Sequence, residues 1–317
     1  MAPRSLLTGP SGFVGGALGA HLIQLGYDVT GVSRTAPRPD STSRSFTHDL
    51  AQPLPGDWPT TDVIVHCAAL SSPWAAPAAY LANNVDATRH LLALAEQTRA
   101  RFVFISSSSV HYSHGDQLDI TEDTPLPATP INQYAATKRQ AEELVRQSQT
   151  EWTILRPRAV FGPGDTVLFP RILRAAASGT LPRILRPDGE SPRADLIYIQ
   201  NLTHYIERAI ALHTPGTFNL TNNDPVTLYP FLDEILERLK LPKRTRTVRV
   251  GTAMLFARAA ELASQYLFHY KEPPVTRFGV EVMAYSKTFN VSKMVNAFGA
   301  PPLSITTGVD RFIASLQ

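Results

Sequence analysis

Short apolar runs and amphipathic stretches alternate through the first half of the chain. Ser5–Thr8 is apolar and short, which predicts a strand, and Gly12–Leu25 carries apolar residues at helical spacing. Asp28–Val32 predicts a second strand, and Arg44–Thr47 a shorter third. Asp62–Cys67 and Arg101–Ser106 are rich in apolar and β-branched residues and predict two more strands, separated by the helical run Asn84–Thr98. Asn132–Gln147 then predicts a long helix and Thr153–Leu155 the next strand. The alternation implies an α/β protein, a Rossmann-type doubly wound parallel sheet with right-handed crossovers and helices on both faces.

After Gly162-Pro-Gly164 this regularity breaks down. Leu196–Ile199 and Thr217–Leu220 read as strands, and Asn201–Ala211, Leu228–Leu239 and Ala253–Phe268 as helices. We expect a dinucleotide-binding unit over 1–165, with strand and helix returns near 195–220. A smaller, mostly helical substrate-binding region covers 166–317. In Ala253–Phe268, Leu255, Ala259, Leu262 and Tyr266 recur at helical spacing, interrupted by Arg258 and Glu261. Core packing is the expected role of that stripe, with a pocket lid or a weak interfacial contact as alternatives.

Composition narrows the function classes. Of 317 residues, 43% are hydrophobic and 18% charged, as in ordinary soluble globular proteins. The net charge of +3 is spread along the chain without a Lys/Arg block, so no nucleic-acid partner is expected. No apolar run reaches the roughly eighteen residues of a spanning helix, and the N-terminus enters a strand with no cleavable signal expected. The single cysteine, Cys67, excludes an internal disulfide and fits a cytoplasmic location. No metal site is expected.

Thr8-Gly9-Pro10-Ser11-Gly12-Phe13-Val14-Gly15 follows the first strand and opens the first helix. Glycines at 9, 12 and 15 allow a tight turn, close approach of a pyrophosphate and close helix–strand packing, while the helix start points amides at the phosphates. The second strand ends Val32-Ser33-Arg34, with no carboxylate to hold a ribose 2′-hydroxyl. Arg34, assisted by Arg38, can pair with a 2′-phosphate instead, so NADP(H) is expected over NAD(H). Asp49 and Leu50 should lie near the adenine, and Ala68 and Ala69 are small enough for the cofactor backbone to approach.

Lys138 is the only lysine in the first 239 residues, a stretch with eighteen arginines. It follows Tyr134 by one helical turn on the same face, and a neighbouring cation favours a phenolate. Strand Arg101–Ile105 runs into Ser106-Ser107-Ser108-Ser109 at the carboxyl edge of the sheet, where such folds bind ligands. A serine hydroxyl there can polarise a carbonyl while Tyr134 handles the proton.

The glycine triplet, the serine run, Tyr134-x-x-x-Lys138 and Leu155-Arg-Pro157…Phe161-Gly-Pro-Gly164 occur in an order that resembles the extended short-chain dehydrogenase/reductase superfamily, also called the NAD-dependent epimerase/dehydratase family. The resemblance covers about the first 165 residues. It implies that Tyr134 is the general acid/base, that Lys138 holds the nicotinamide ribose and lowers the tyrosine pKa, and that Ser107 is the catalytic serine, with Ser108 the alternative. It also places Ser106, Asn84 and the Pro157–Val160 backbone near the cofactor. Sugar-nucleotide 4,6-dehydratases follow the hydroxyl with an Asp-Glu pair; here Ser108-Ser109 follow, which disfavours that dehydration. Val110-His-Tyr departs from the family's Val-Tyr-Gly, and His111 is either a substrate contact or an ordinary loop histidine.

Gly216-Thr-Phe-Asn-Leu-Thr-Asn-Asn-Asp-Pro-Val226 and Glu272-Pro-Pro-Val-Thr-Arg277, with Ser286-Lys-Thr-Phe and Ser292-Lys293 after them, are similar to the 3β-hydroxysteroid and sterol-4-carboxylate 3-dehydrogenase branch. That resemblance implies an NAD(P)-dependent oxidoreductase that interconverts a secondary alcohol and a ketone on a mostly apolar, steroid-like or β-keto small molecule. The alternative is a nucleotide-sugar epimerase with tightly held NAD, for which Arg193 lies one position from a diphosphate-binding arginine, unless Asp195 salt-bridges it. A non-catalytic dinucleotide-sensing regulator is the alternative from another class. The family often pairs through a four-helix interface including the Tyr134 helix, so the resemblance makes a homodimer one option and leaves the oligomeric state open.

Overall fold

The computed structural model describes residues 3–56, 58–242 and 246–317. The first half forms β1 (Arg4–Thr8), α1 (Phe13–Gln24), β2 (Asp28–Ser33), β3 (Arg44–Thr47), β4 (Val63–His66), a short α2 (Pro77–Tyr80), α3 (Ala87–Thr98), β5 (Arg101–Ile105), β6 (Gln117–Ile120), α4 (Gln133–Gln147) and β7 (Trp152–Pro157). The second half continues with β8 (Val160–Phe161), α5 (Phe169–Ala177), β9 (Arg183–Leu185), β10 (Arg193–Ala194), β11 (Ile197–Tyr198), α6 (Ile199–Ala211), β12 (Gly216–Leu220), β13 (Val226–Thr227) and α7 (Leu228–Arg238). It ends with β14 (Thr247–Arg249), α8 (Val250–Leu267), α9 (Arg277–Ala284), β15 (Lys287–Phe289), α10 (Ser292–Phe298) and α11 (Ile305–Ala314).

Seven strands form one parallel sheet in the order β12-β7-β5-β4-β1-β2-β3. Alternation along each strand explains why both faces are covered. Leu6, Ile64, Phe102 and Phe104 point to one face, where Leu91, Ala95, Ala141 and Val145 of α3 and α4 meet them. Leu7, Val63, Val65, Val103 and Ile105 point to the other, against Leu18 and Leu22 of α1 and Leu202 and Ile206 of α6. Such strands cannot tolerate a one-residue slip, because either face would lose its apolar set. The chain runs outward from β1 to β3 and then returns to β4 on the other side of β1. That reversal opens a crevice at the carboxyl ends of β1 and β4, which is the ligand position for this architecture.

The last sheet strand, β12, comes from the second half and lies beside β7. A second sheet, β13-β10-β15-β6, joins the Gln117–Ile120 segment to Lys287–Phe289. This long-range pairing has no local sequence signal.

One expectation is overturned. The stripe Leu255, Ala259, Leu262 and Tyr266 does not pack into the core; it faces outward, and the buried positions of α8 are Ala253, Ala257, Glu261 and Ser264. Polar ties set that register: Glu261 accepts from the Arg277 amide and Nε, and Ser264 from Trp74 Nε1.

Candidate active site

The phosphate end begins at β1. Thr8 gives way to Gly9 at φ +72°, a left-handed conformation that glycine adopts without strain. A Cβ on Gly9 would press on the Ala68 backbone at 3.1 Å, so the loop lies directly against the end of β4. A Cβ on Gly15 would collide with the Gly9 carbonyl, which is the packing reason for the third glycine. Gly12 caps α1 with no side-chain hydrogen bond, and the first turn holds no acidic residue. The unspent amides and positive helix end, beside half-buried Ser11, fit a dinucleotide's phosphates.

A buried relay holds the crevice in shape. The Ala68 amide donates to Thr8 Oγ1, Thr8 donates to His66 Nδ1 at 2.8 Å, and His66 Nε2 faces Thr88 Oγ1, which donates to the Asn84 carbonyl. Thr88 spends its proton on Asn84, so Nε2 carries the imidazole hydrogen. Burial, and secondarily the Lys138 charge, pushes the His66 pKa down to about 3, which keeps this chain neutral. Asn84 lies in a π-helical turn, Leu81–Asp86; its Oδ1 accepts from the Leu70 amide and its Nδ2 donates to Thr137 Oγ1 beside Lys138. Ala69 lies half-buried between these ties.

At the adenosine end, Arg34 is exposed immediately after β2. Arg38 is partly engaged, donating to the Gly164 carbonyl at 3.0 Å with its stem against Gly16. Asp49 caps its own turn by accepting from the Ala51 amide, and Leu50 is buried with its carbonyl accepting from His90 Nδ1. Pro157 ends β7, and Val160 follows Ala159 at φ +43°, a strained non-glycine conformation facing the crevice loops.

The chemical end gathers on β5 and α4. Asn132 caps α4 by accepting from the Ala135 amide, which fixes Tyr134 in the first helical turn. The half-buried Tyr134 phenol neighbours the Ser107 hydroxyl. Burial raises its pKa, and the nearby Ser107 hydroxyl offsets this in part. Among the four serines, Ser106, Ser108 and Ser109 are buried: Ser106 donates to Glu142, and Ser108 shares a hydrogen bond with Tyr112. Ser107 is half-exposed, and its oxygen also accepts from the Ser109 amide.

Lys138 is only 2% exposed. Its Nζ donates to the Ile105 carbonyl at 2.6 Å and lies 4.2 Å from the Phe104 ring centroid. Burial pushes its pKa down to about 8, against the pull of Glu142 and Cys67. The ammonium is aimed at the strand end.

Sequence reading missed Glu142. It is fully buried one turn beyond Lys138, and its carboxylate takes two hydrogen bonds from Arg156 and one each from Ser106 and Arg146. Its spacing of four from Lys138 was the available signal. His111 is a buried residue of the short turn Ser108–His111. Its Nε2 accepts from Arg156 at 2.7 Å, and burial beside that guanidinium holds its pKa near 3. Arg193 is exposed on β10, its amide held by Ser286 Oγ. The alternative ion pair with Asp195 is not formed; Asp195 accepts from the Phe289 amide.

The model of the NAD dependent epimerase/dehydratase family matches residues 5–221. The chain belongs to that family. Like other epimerase/dehydratase family members of the extended short-chain type, it is an oxidoreductase. It is 29% identical to the 2-alkyl-3-oxoalkanoate reductase of Shewanella oneidensis, over 99% of this chain and 86% of that protein. It is 29% identical to 3beta-hydroxysteroid-dehydrogenase/decarboxylase isoform 1 of Arabidopsis thaliana, over 81% and 62% respectively. Among solved structures, the Bordetella bronchiseptica enzyme WbmH in complex with NAD+ superposes with a TM-score of 0.77, covering 100% of this chain and 98% of that one at 17% identity. At that identity the likeness shows the fold. No helix among the described residues is long and apolar enough to cross a membrane, and no cluster there could hold a metal ion.

Proposed function

We propose that this epimerase/dehydratase family member reduces a ketone to a secondary alcohol on a mostly apolar substrate, preferring NADPH. The observation that carries the reading is the Ser107–Tyr134 hydroxyl pair at the end of β5. Reduction needs a phenol that is still protonated near neutral pH, and burial favours that form of Tyr134. Bound nicotinamide supplies the hydride. Ser107 polarises the carbonyl oxygen, Tyr134 gives it a proton, and Lys138 holds the ribose with its free donors. Substrate class draws support from relatives whose names specify 3-oxoalkanoates and 3β-hydroxysteroids. A cavity of about 240 Å³ is lined by Ile131, Met254 and Phe278 together with His114, Arg277 and Glu281. Ile131 is three residues before Tyr134. The test is NADPH consumption over a panel of β-keto esters, steroids and sugar nucleotides. Turnover confined to sugar nucleotides, with NAD retained through purification, would refute it in favour of an epimerase.

The cofactor preference rests on Arg34, exposed after β2 with no carboxylate at 33 or 34. Arg34→Ala is expected to weaken NADPH binding by about ten- to a hundredfold, the loss of charge-assisted hydrogen bonds to a phosphate, and to leave NADH binding unchanged. Fluorescence titration reads both; tighter NADH than NADPH binding by the unmodified protein would sink the argument.

A further inference from the structure

Helix α8 turns the wrong side outward for a helix that only packs on a protein body. Facing inward are Ala253, Ala257, Glu261 and Ser264, two small and two polar residues. Facing outward are Leu255 (71% exposed), Phe256 (60%), Leu262 (46%), Tyr266 (74%) and Leu267 (70%), followed by Phe268 (58%). Hydrophobic burial would ordinarily place these the other way round. The helix cannot roll to correct this, because Glu261 is bonded to Arg277 and Ser264 to Trp74. The apolar face is therefore held in place for a partner.

Charge identifies the partner. Arg246, Arg249, Arg258 and Lys271 are exposed along this segment, and Arg258 lies within the apolar stripe, three and four residues from Leu255 and Leu262. The one acid between 246 and 271 is Glu261, buried and neutralised by Arg277. A second copy would bring like charges together across the contact, and the nearest exposed carboxylate, Glu272, is already paired with Arg171. An anionic bilayer supplies both an apolar phase and the opposite charge. We propose that the outer face of α8 docks on an anionic lipid surface, with the helix lying in the headgroup plane. Met254, on the same helix, lines the cavity beside Ile131, so docking would place that cavity next to lipid. The docking stands on the exposed face and does not depend on the ketone reading.

The test mixes the full chain, free of detergent, with phosphatidylcholine vesicles containing about one third phosphatidylglycerol, or none, and sediments them. Expected is co-sedimentation with the anionic vesicles, weakened by salt. The variant Leu255→Ser/Phe256→Ser/Leu262→Ser should partition on the order of a hundredfold less, with melting temperature and NADPH binding unchanged. Arg258→Glu, a single exposed change that gives an independent reading should the triple variant misfold, should lose the preference for anionic vesicles. Failure of the unmodified protein to sediment with either vesicle overturns the proposal. So does undiminished binding by Arg258→Glu, or a dimer in ultracentrifugation that the triple variant dissolves, which would assign the face to a second copy.

Discussion

Tyr134→Phe is expected to lower kcat by about 10²- to 10⁴-fold, the range associated with removing a general acid, while NADPH affinity stays nearly unchanged. The phenol is the one proton donor at the site whose position is set from three directions. Asn132 caps the helix start, burial keeps the ring in place, and the Ser107 hydroxyl lies beside the phenol. Phenylalanine keeps the ring and the helix, so the variant should melt like the parent. What it loses is the proton and the second hydroxyl on the carbonyl oxygen. A Ser107→Ala variant should be impaired less, because it removes polarisation but leaves the acid. The decisive measurement is single-turnover NADPH oxidation with a ketone from the panel. Unchanged turnover in Tyr134→Phe would mean that a different group supplies the proton, and the assignment of Ser107 would fall with it.

Short continuous apolar runs made the sheet legible in the sequence because β1, β4, β5 and β7 are buried on both faces, and a strand so placed has little freedom to be anything else. The glycine loop was legible for a similar reason: Gly9 and Gly15 stand where a side chain would collide with backbone. The substrate half was not. β6 and β15 pair across some 170 residues, and pairing that distant is decided by tertiary packing rather than by local pattern. His111 reads as a loop residue until Arg156 and Glu142 are seen around it. In α8 the spacing was right and the direction was not. Periodicity reveals that one face is apolar, but two hydrogen bonds, Glu261–Arg277 and Ser264–Trp74, decide which way that face points.

Lys138→Arg should abolish most activity although it conserves charge. Nζ is enclosed by the Ile105 carbonyl, the Phe104 ring and the ends of β4 and β5, where its charge also acts on His66 and Cys67. A compact ammonium fits that space and keeps two further donors for a ribose; a planar guanidinium is broader and carries its donors in a fixed fork. A pH profile separates shape from charge. Lys138 titrates at about 8, lowered mainly by burial, so kcat/KM of the unmodified enzyme should fall as pH rises through that value and the ammonium is lost. The same shift contributes stability in the opposite sense: the lysine's folded pKa lies below its unfolded one, so the penalty for burying its charge is relieved between about pH 8 and 10.5. Arginine does not deprotonate in this range. Were charge alone required, the arginine variant would be active and would lose the alkaline decline. The expected result is instead a uniformly low rate at every pH, because the donors no longer meet the ribose. Near-normal turnover with a flat alkaline limb would show that charge suffices and overturn the geometric account.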